Sequence, residues 1–249
     1  MFNPNELLIK KIQNNGGFVN AHAHFDRAFT VTEDNMEEVV NYHLFDKWGF
    51  VDKFKRTASI EDYYNNFKQA IDRQLAMGVV AGLTFVDIDS VSEFRAIEAA
   101  QLAKKYGQEN GFDLKLASQA LKGVIAPKES QLLRKALEMD YLDVIGGLPK
   151  VDKEYESAHL DHILFLGREY NKRVHVHVDQ LNSDNECETE ELALATMRHK
   201  MYGRVTAVHS ISLACHPKNY RERVYGLSKD AGLSFITCPT AWIDSRRSE

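Results

Sequence analysis

Cysteine is scarce. The 249 residues contain three, Cys187, Cys215 and Cys238, odd in number and widely spaced. That spacing supports neither a disulfide framework nor a thiolate zinc cluster, and leaves reduced, mainly structural thiols. No apolar run approaches the roughly 18 residues a membrane helix needs. The opening MFNPNELLIKKIQNNGG is polar where a signal peptide carries an apolar core. The cytoplasm is therefore the expected compartment, and no membrane partner is expected. Positive charge is also short, with a formal net charge of −5 and acids and bases interspersed. Without a basic stripe or polybasic cluster, nucleic acid is not an expected partner. The first β-branched run also lacks the glycine-rich turn by which open nucleotide-binding sheets cradle phosphate.

What is present is a regular alternation. With 44% hydrophobic and 27% charged residues the chain can bury a sizeable core, as one large or two small domains. Seven β-branched runs stand out: FVNAHAH (18–24), VVAGLTFVDID (79–89), LKLASQALKG (114–123), YLDVIGGLP (141–149), RVHVHVDQ (173–180), RVTAVHS (204–210) and LSFITCP (233–239). Helical patterns separate them. The plainest is 59–78, where Ser59 and Asp62 form a capping box and Gly78 follows the end. Helices are also predicted over 91–107, 129–139, 159–171 and 188–203. This rhythm predicts parallel strands with crossover helices, an α/β barrel of TIM (β/α)8 type with seven strands recognisable. Residues 1–17 read as a lead-in, and 18–249 as the barrel without its last strand. The charged, aromatic segment from Phe25 to Ala58 reads as a partly helical loop over the barrel mouth.

Polar residues gather at the C-terminal ends of these runs, where barrels of this type place their reactive groups. His22 and His24 share a face, because strand side chains alternate. A divalent ion can sit between such imidazoles, with His177 as third ligand, and His209 ends the next strand in the same way. His175 reads as a core residue. His43, His159, His162, His199 and His216 are expected to be solvated, and Asp87 and Asp89 to cap the following helix.

NAHAHFD, FVDID, VHVDQ, VTAVHS and FITCP, in that order, resemble the amidohydrolase superfamily, in particular its cytosine-deaminase-like branch. The resemblance implies His22, His24 and His177 as ligands of one divalent transition metal, zinc or iron. It implies His209 as the histidine that holds water or substrate. The implied reaction is hydrolysis of a non-peptide C–N bond in a small nitrogenous molecule by attack of metal-bound hydroxide.

Departures from the family pattern carry their own expectations. Gln180 stands where the deaminases have a proton-shuttling Glu; an amide orients substrate but carries no proton. Asp179, its neighbour, is aimed at the opposite face. Leu121 stands where cytosine deaminases have a pyrimidine-reading Gln, and Lys122 is expected to be solvated. Lys150, a candidate carboxylated lysine of a two-metal site, falls beyond Pro149 and the strand. The family's eighth strand and its metal-binding Asp would follow FITCP, and Asp244 does not replace it; little or no N-terminal β-sandwich of the family's kind is expected either. The expectation is a fragment of a longer hydrolase, a sequence that ends early, or a short relative completed by a second copy or a complementing chain. A catalytically silent barrel serving in binding is the rival reading, and phosphoester hydrolysis a third.

Overall fold

The structure is a computed structural model that describes residues 4–40, 42 and 44–244. Along the chain run α1 (Pro4–Asn14), β1 (Phe18–Ala23), α2 (Met36–Val39), α3 (Leu44–Thr57), α4 (Ile60–Ala76), β2 (Val79–Asp87), α5 (Arg95–Glu109) and β3 (Asp113–Gln119). There follow α6 (Pro127–Glu138), β4 (Val144–Gly147), α7 (Glu156–Glu169), β5 (Arg173–Val178), α8 (Glu188–Arg198), β6 (Val205–His209), α9 (Lys218–Ala231), β7 (Ser234–Ile236) and α10 (Pro239–Asp244). The seven parallel strands form one sheet in the order β1 to β7, and each is followed by a helix. This is the βα repeat of the TIM-type α/β barrel class, as the sequence predicts. No helix among the described residues is long and apolar enough to cross a membrane.

The chain forms two compact units, 1–117 and 118–249. In the N-terminal unit, α4 begins at the capping box. The Asp62 N–H donates to Ser59 Oγ at 3.1 Å, and the Ser59 N–H to Asp62 Oδ2 at 2.8 Å. These bonds satisfy two donors that a helix start otherwise leaves open. The same helix buries Tyr63, Phe67, Ala70 and Ile71 at helical spacing. Beside it lies α5, whose buried alanines 96, 99, 100 and 103 keep that face shallow and allow close packing. Fully burying a side chain such as Phe67 contributes about 1.5–3 kcal/mol.

In the C-terminal unit, β5 and β6 pair with Val174 opposite Val205 and His177 opposite Val208. Val174, Val176 and Val178 are fully buried, the mark of a strand covered on both faces. Leu160, Ile163, Leu164 and Leu166 of α7 supply the matching apolar surface.

Several expectations are corrected. The strands are shorter than their apolar runs, because the terminal polar residues leave the ladder: β2 stops at Asp87 and β5 at Val178. The lead-in contains α1, whose Ile9 and Ile12 lie under Gly78. The segment from Phe25 to Ala58 is partly helical as expected, with α2 and the longer α3 inside it. α9 escapes the sequence reading because its face offers only Val224, Ser228 and Ala231 to the interior. His159 and His216 are buried rather than solvated, and His162 and His199 half-buried. His43 lies outside the described residues.

Candidate active site

In the N-terminal unit, the end of β1 presents the two histidines on one side, with ring centroids 5.0 Å apart and nearly perpendicular. Both rings rest on Phe85 of β2, at 4.9 and 5.5 Å. Behind them lies a buried ionic network that sequence reasoning missed. Arg27 donates to His24 Nδ1 at 2.8 Å and to Asp87 Oδ1 at 2.6 Å. Lys55 reaches in from α3 to Asp87 Oδ2 at 3.1 Å and to Asp89.

Two cations thus stand against Asp26, Asp87 and Asp89. Burial works against the charge on Lys55, yet Asp87 and Asp89 push its pKa up to about 12. Burial likewise opposes ionisation of Asp87, but Arg27 and Lys55 hold it below the ordinary carboxylate range. Asp26 is raised to about 7 by burial and by the neighbouring Asp87 charge, although the Asp87 N–H donates to its Oδ2 at 2.9 Å. Asp89 does not cap α5, whose N-cap Phe94 makes no side-chain bond; its Oδ1 instead accepts the N–H groups of Val91 and Ser92, at 3.0 Å each, in the turn before that helix. Nor does Asp87 cap it, since its carboxylate is taken by Arg27 and Lys55. The signal available in sequence was the pair Asp26–Arg27, one residue beyond the histidines.

In the C-terminal unit, the ends of β3, β5 and β6 carry Gln119, His177 and His209. The rings of His177 and His209 lie 5.3 Å apart. Their strands pair with His177 opposite Val208, so regular pleating would send His209 to the other face. His209 instead has φ +77 and Ser210 φ +51, a left-handed turn that brings the ring round to His177. Backbone strain of this kind in non-glycine residues is typical of functional positions. Burial lowers the pKa of His209 to about 4, so the ring is neutral at pH 7. The His177 ring places Nδ1 3.2 Å from the carbonyl of Gly147. A carbonyl only accepts, so Nδ1 carries the proton and Nε2 the lone pair.

Gln180 follows Asp179, whose φ is +51. Its amide nitrogen is buried with no hydrogen-bond partner among the described residues, and so is Oε1 of Gln119. Gln119 is a second residue missed from sequence. Leu121, two positions on, is simply buried. Asp179 turns away to α8 as expected: its carboxylate accepts the N–H groups of Glu188 at 2.8 Å and Thr189 at 3.2 Å.

Asp179, Glu186 and Glu188 have carboxylate oxygens within 4.8 Å of one another. Each is engaged by backbone, and Glu186 also by Lys150 Nζ at 2.7 Å, so they clamp the loop before α8. Lys150 lies in a short 3-10 turn beyond β4, as expected. His175 is half-buried with its pKa lowered to about 4, chiefly by burial, in keeping with a core histidine.

No established family profile matches the chain. An uncharacterized protein of Haemophilus influenzae is 44% identical over 97% of this chain and 86% of its own length. The N-isopropylammelide isopropyl amidohydrolase of Pseudomonas sp. is 30% identical over 89% of this chain. Among solved structures, 5-methylcytosine deaminase from Klebsiella pneumoniae superposes with a TM-score of 0.84 over 92% of this chain, at 25% identity. This chain spans 56% of the length of the amidohydrolase and 56% of the deaminase chain. The ordered histidine motifs, the βα repeat and these likenesses agree: the chain is similar in sequence and in fold to the amidohydrolases.

Proposed function

We propose that the protein is a metal-dependent hydrolase of a non-peptide C–N bond in a small nitrogenous compound, an amide or an aminated ring. The observation that carries this reading is the pair of imidazoles at the ends of β5 and β6, turned towards each other by the left-handed backbone at His209. In this reading one divalent ion, zinc or iron, is held by His22, His24 and His177, with His209 beside it. The donors suit such an ion: imidazole binds as the neutral base, and His177 carries its lone pair on Nε2. His24 accepts from Arg27 at Nδ1. Were Arg27 to release that bond, His24 would offer a ring nitrogen to the ion.

When bound, such an ion lowers the pKa of water towards about 7 and so supplies the nucleophile at neutral pH. The remaining work falls to side chains. His209, kept neutral at pH 7 by burial, would take the proton that the attacking water gives up and pass it to the leaving nitrogen. Gln180 offers an amide N–H and Gln119 an amide carbonyl, and together they orient a substrate that has both an acceptor and a donor.

The test is to strip the purified protein with a chelator, restore zinc or ferrous iron, and assay ring amides and aminated heterocycles for released ammonia or amine. Metal-dependent release is expected. Failure to retain any divalent ion would overturn the reading. Stoichiometric metal without turnover on any of these compounds would favour the silent, ligand-binding barrel that Gln180 suggests.

A further inference from the structure

We propose that His159 and Asp152 are positioning residues that fix His177 through the last peptide group of β4. Four groups form one chain of hydrogen bonds within the C-terminal unit. The His177 Nδ1–H donates to the Gly147 carbonyl at 3.2 Å. The N–H of that same peptide group, carried by Leu148, donates to His159 Nε2 at 3.0 Å. His159 Nδ1 lies 2.7 Å from Asp152 Oδ2. Asp152 also accepts the Val124 N–H at 2.7 Å, which holds the carboxylate in place.

Each step has a forced direction. A carboxylate and a carbonyl can only accept and a peptide N–H can only donate, so both rings must be Nδ1–H tautomers. The bonds therefore run one way, from His177 to the negative charge of Asp152, and each polarises the next. Drawing the Leu148 N–H towards His159 makes the Gly147 carbonyl a better acceptor. That in turn holds His177 in one orientation and raises the basicity of its Nε2. Partners of this kind behind a ligating histidine contribute about 10–100-fold to metal affinity.

The site is built for this arrangement. His159 is fully buried, and burial lowers its pKa, so it is neutral and able to accept from Leu148. Gly147 leaves room for this approach: a Cβ there would lie 3.3 Å from His159 Nε2, tight enough to press on the ring, and 2.3 Å from Ile163 Cδ1, which would have to move. Gly123, at φ +81, stands so close to Asp152 that a Cβ would overlap its carboxylate at 2.1 Å. Two glycines thus admit the approaches that the chain of bonds requires. Its opposite end is pinned by β4–β5 pairing, with Gly147 opposite Val176.

Treating His177 as a metal ligand rests on the proposed function, but the relay itself can be read in metal-free protein. Long-range nitrogen–proton NMR of the histidine rings in the wild-type chain is expected to show Nδ1–H tautomers for both His159 and His177. An Nε2–H tautomer at His177 would overturn the proposal without any variant being made. His159→Leu is expected to shift the His177 ring nitrogens and to weaken zinc binding about 10–100-fold. His159→Gln, whose amide oxygen can accept from Leu148, is expected to restore much of both. A folded His159→Leu protein with unchanged His177 signals and zinc affinity would contradict it. If the wild-type protein takes up no ion, yet His177 responds to His159→Leu and recovers in His159→Gln, the relay stands and the metal reading falls.

Discussion

At the scale of single residues, the chemistry depends on which proton sits where. Gln180 carries an amide, which orients a substrate but carries no proton, and its buried nitrogen has no acceptor among the described residues. Removing it should therefore weaken substrate positioning more than the chemical step. Gln180→Ala is expected to raise KM about tenfold with a smaller fall in kcat, as steady-state kinetics on the best substrate would show. A large loss of kcat at unchanged KM would assign Gln180 a role in the transition state instead.

The buried pair His159 and Asp152 makes a second prediction, about stability. Burial depresses the His159 pKa below the ordinary 6.5, with Asp152 opposing and the half-buried His162 nearby. Asp152 itself is held below 3.8: burial opposes its charge, but the bond from His159 prevails. As pH falls through 6.5 the unfolded chain gains a proton that folded His159 refuses, so folding stability declines. The slope approaches about 1.4 kcal/mol per pH unit for one proton. Denaturant unfolding at pH 7.5 and 5 should show a smaller acid loss in His159→Gln than in wild type. An equal loss would mean that other groups dominate.

At the scale of elements, the legible features were those with local signatures. The capping box at Ser59 and Asp62 marked α4 from sequence alone, and the order of β-branched runs marked every strand. α9 was not legible, because a helix with three interior contacts leaves almost no periodic trace. Nor was the role of α3: nothing in LFDKWGFVDKFKRT announces that Lys55 will be buried against Asp87 and Asp89. That ion pair is a long-range consequence of folding, since 34 residues separate Lys55 from Asp89.

It also fixes the strength of the element's attachment. Removing one partner of a buried pair leaves the other charge uncompensated, which costs about 3–5 kcal/mol. Lys55→Met should accordingly lower the unfolding free energy by that amount. A change below about 1 kcal/mol in denaturant titration would show that the carboxylates find another partner or lose their charge.

At the scale of the whole molecule, the fold class was readable because the βα alternation recurs seven times, and each recurrence reinforces the rest. The candidate site was only half readable. Motif order singled out His22, His24, His177 and His209, since two histidines one residue apart on a strand share a face. The left-handed turn at His209, the single peptide between His177 and His159, and the place of Gln119 all depend on backbone geometry that composition does not encode.

A titration with zinc tests the proposed metal dependence most directly. Wild-type protein should take up one ion per chain, and His22→Ala and His177→Ala should each abolish that tight binding. A single tightly bound ion retained by either folded variant would contradict the claim.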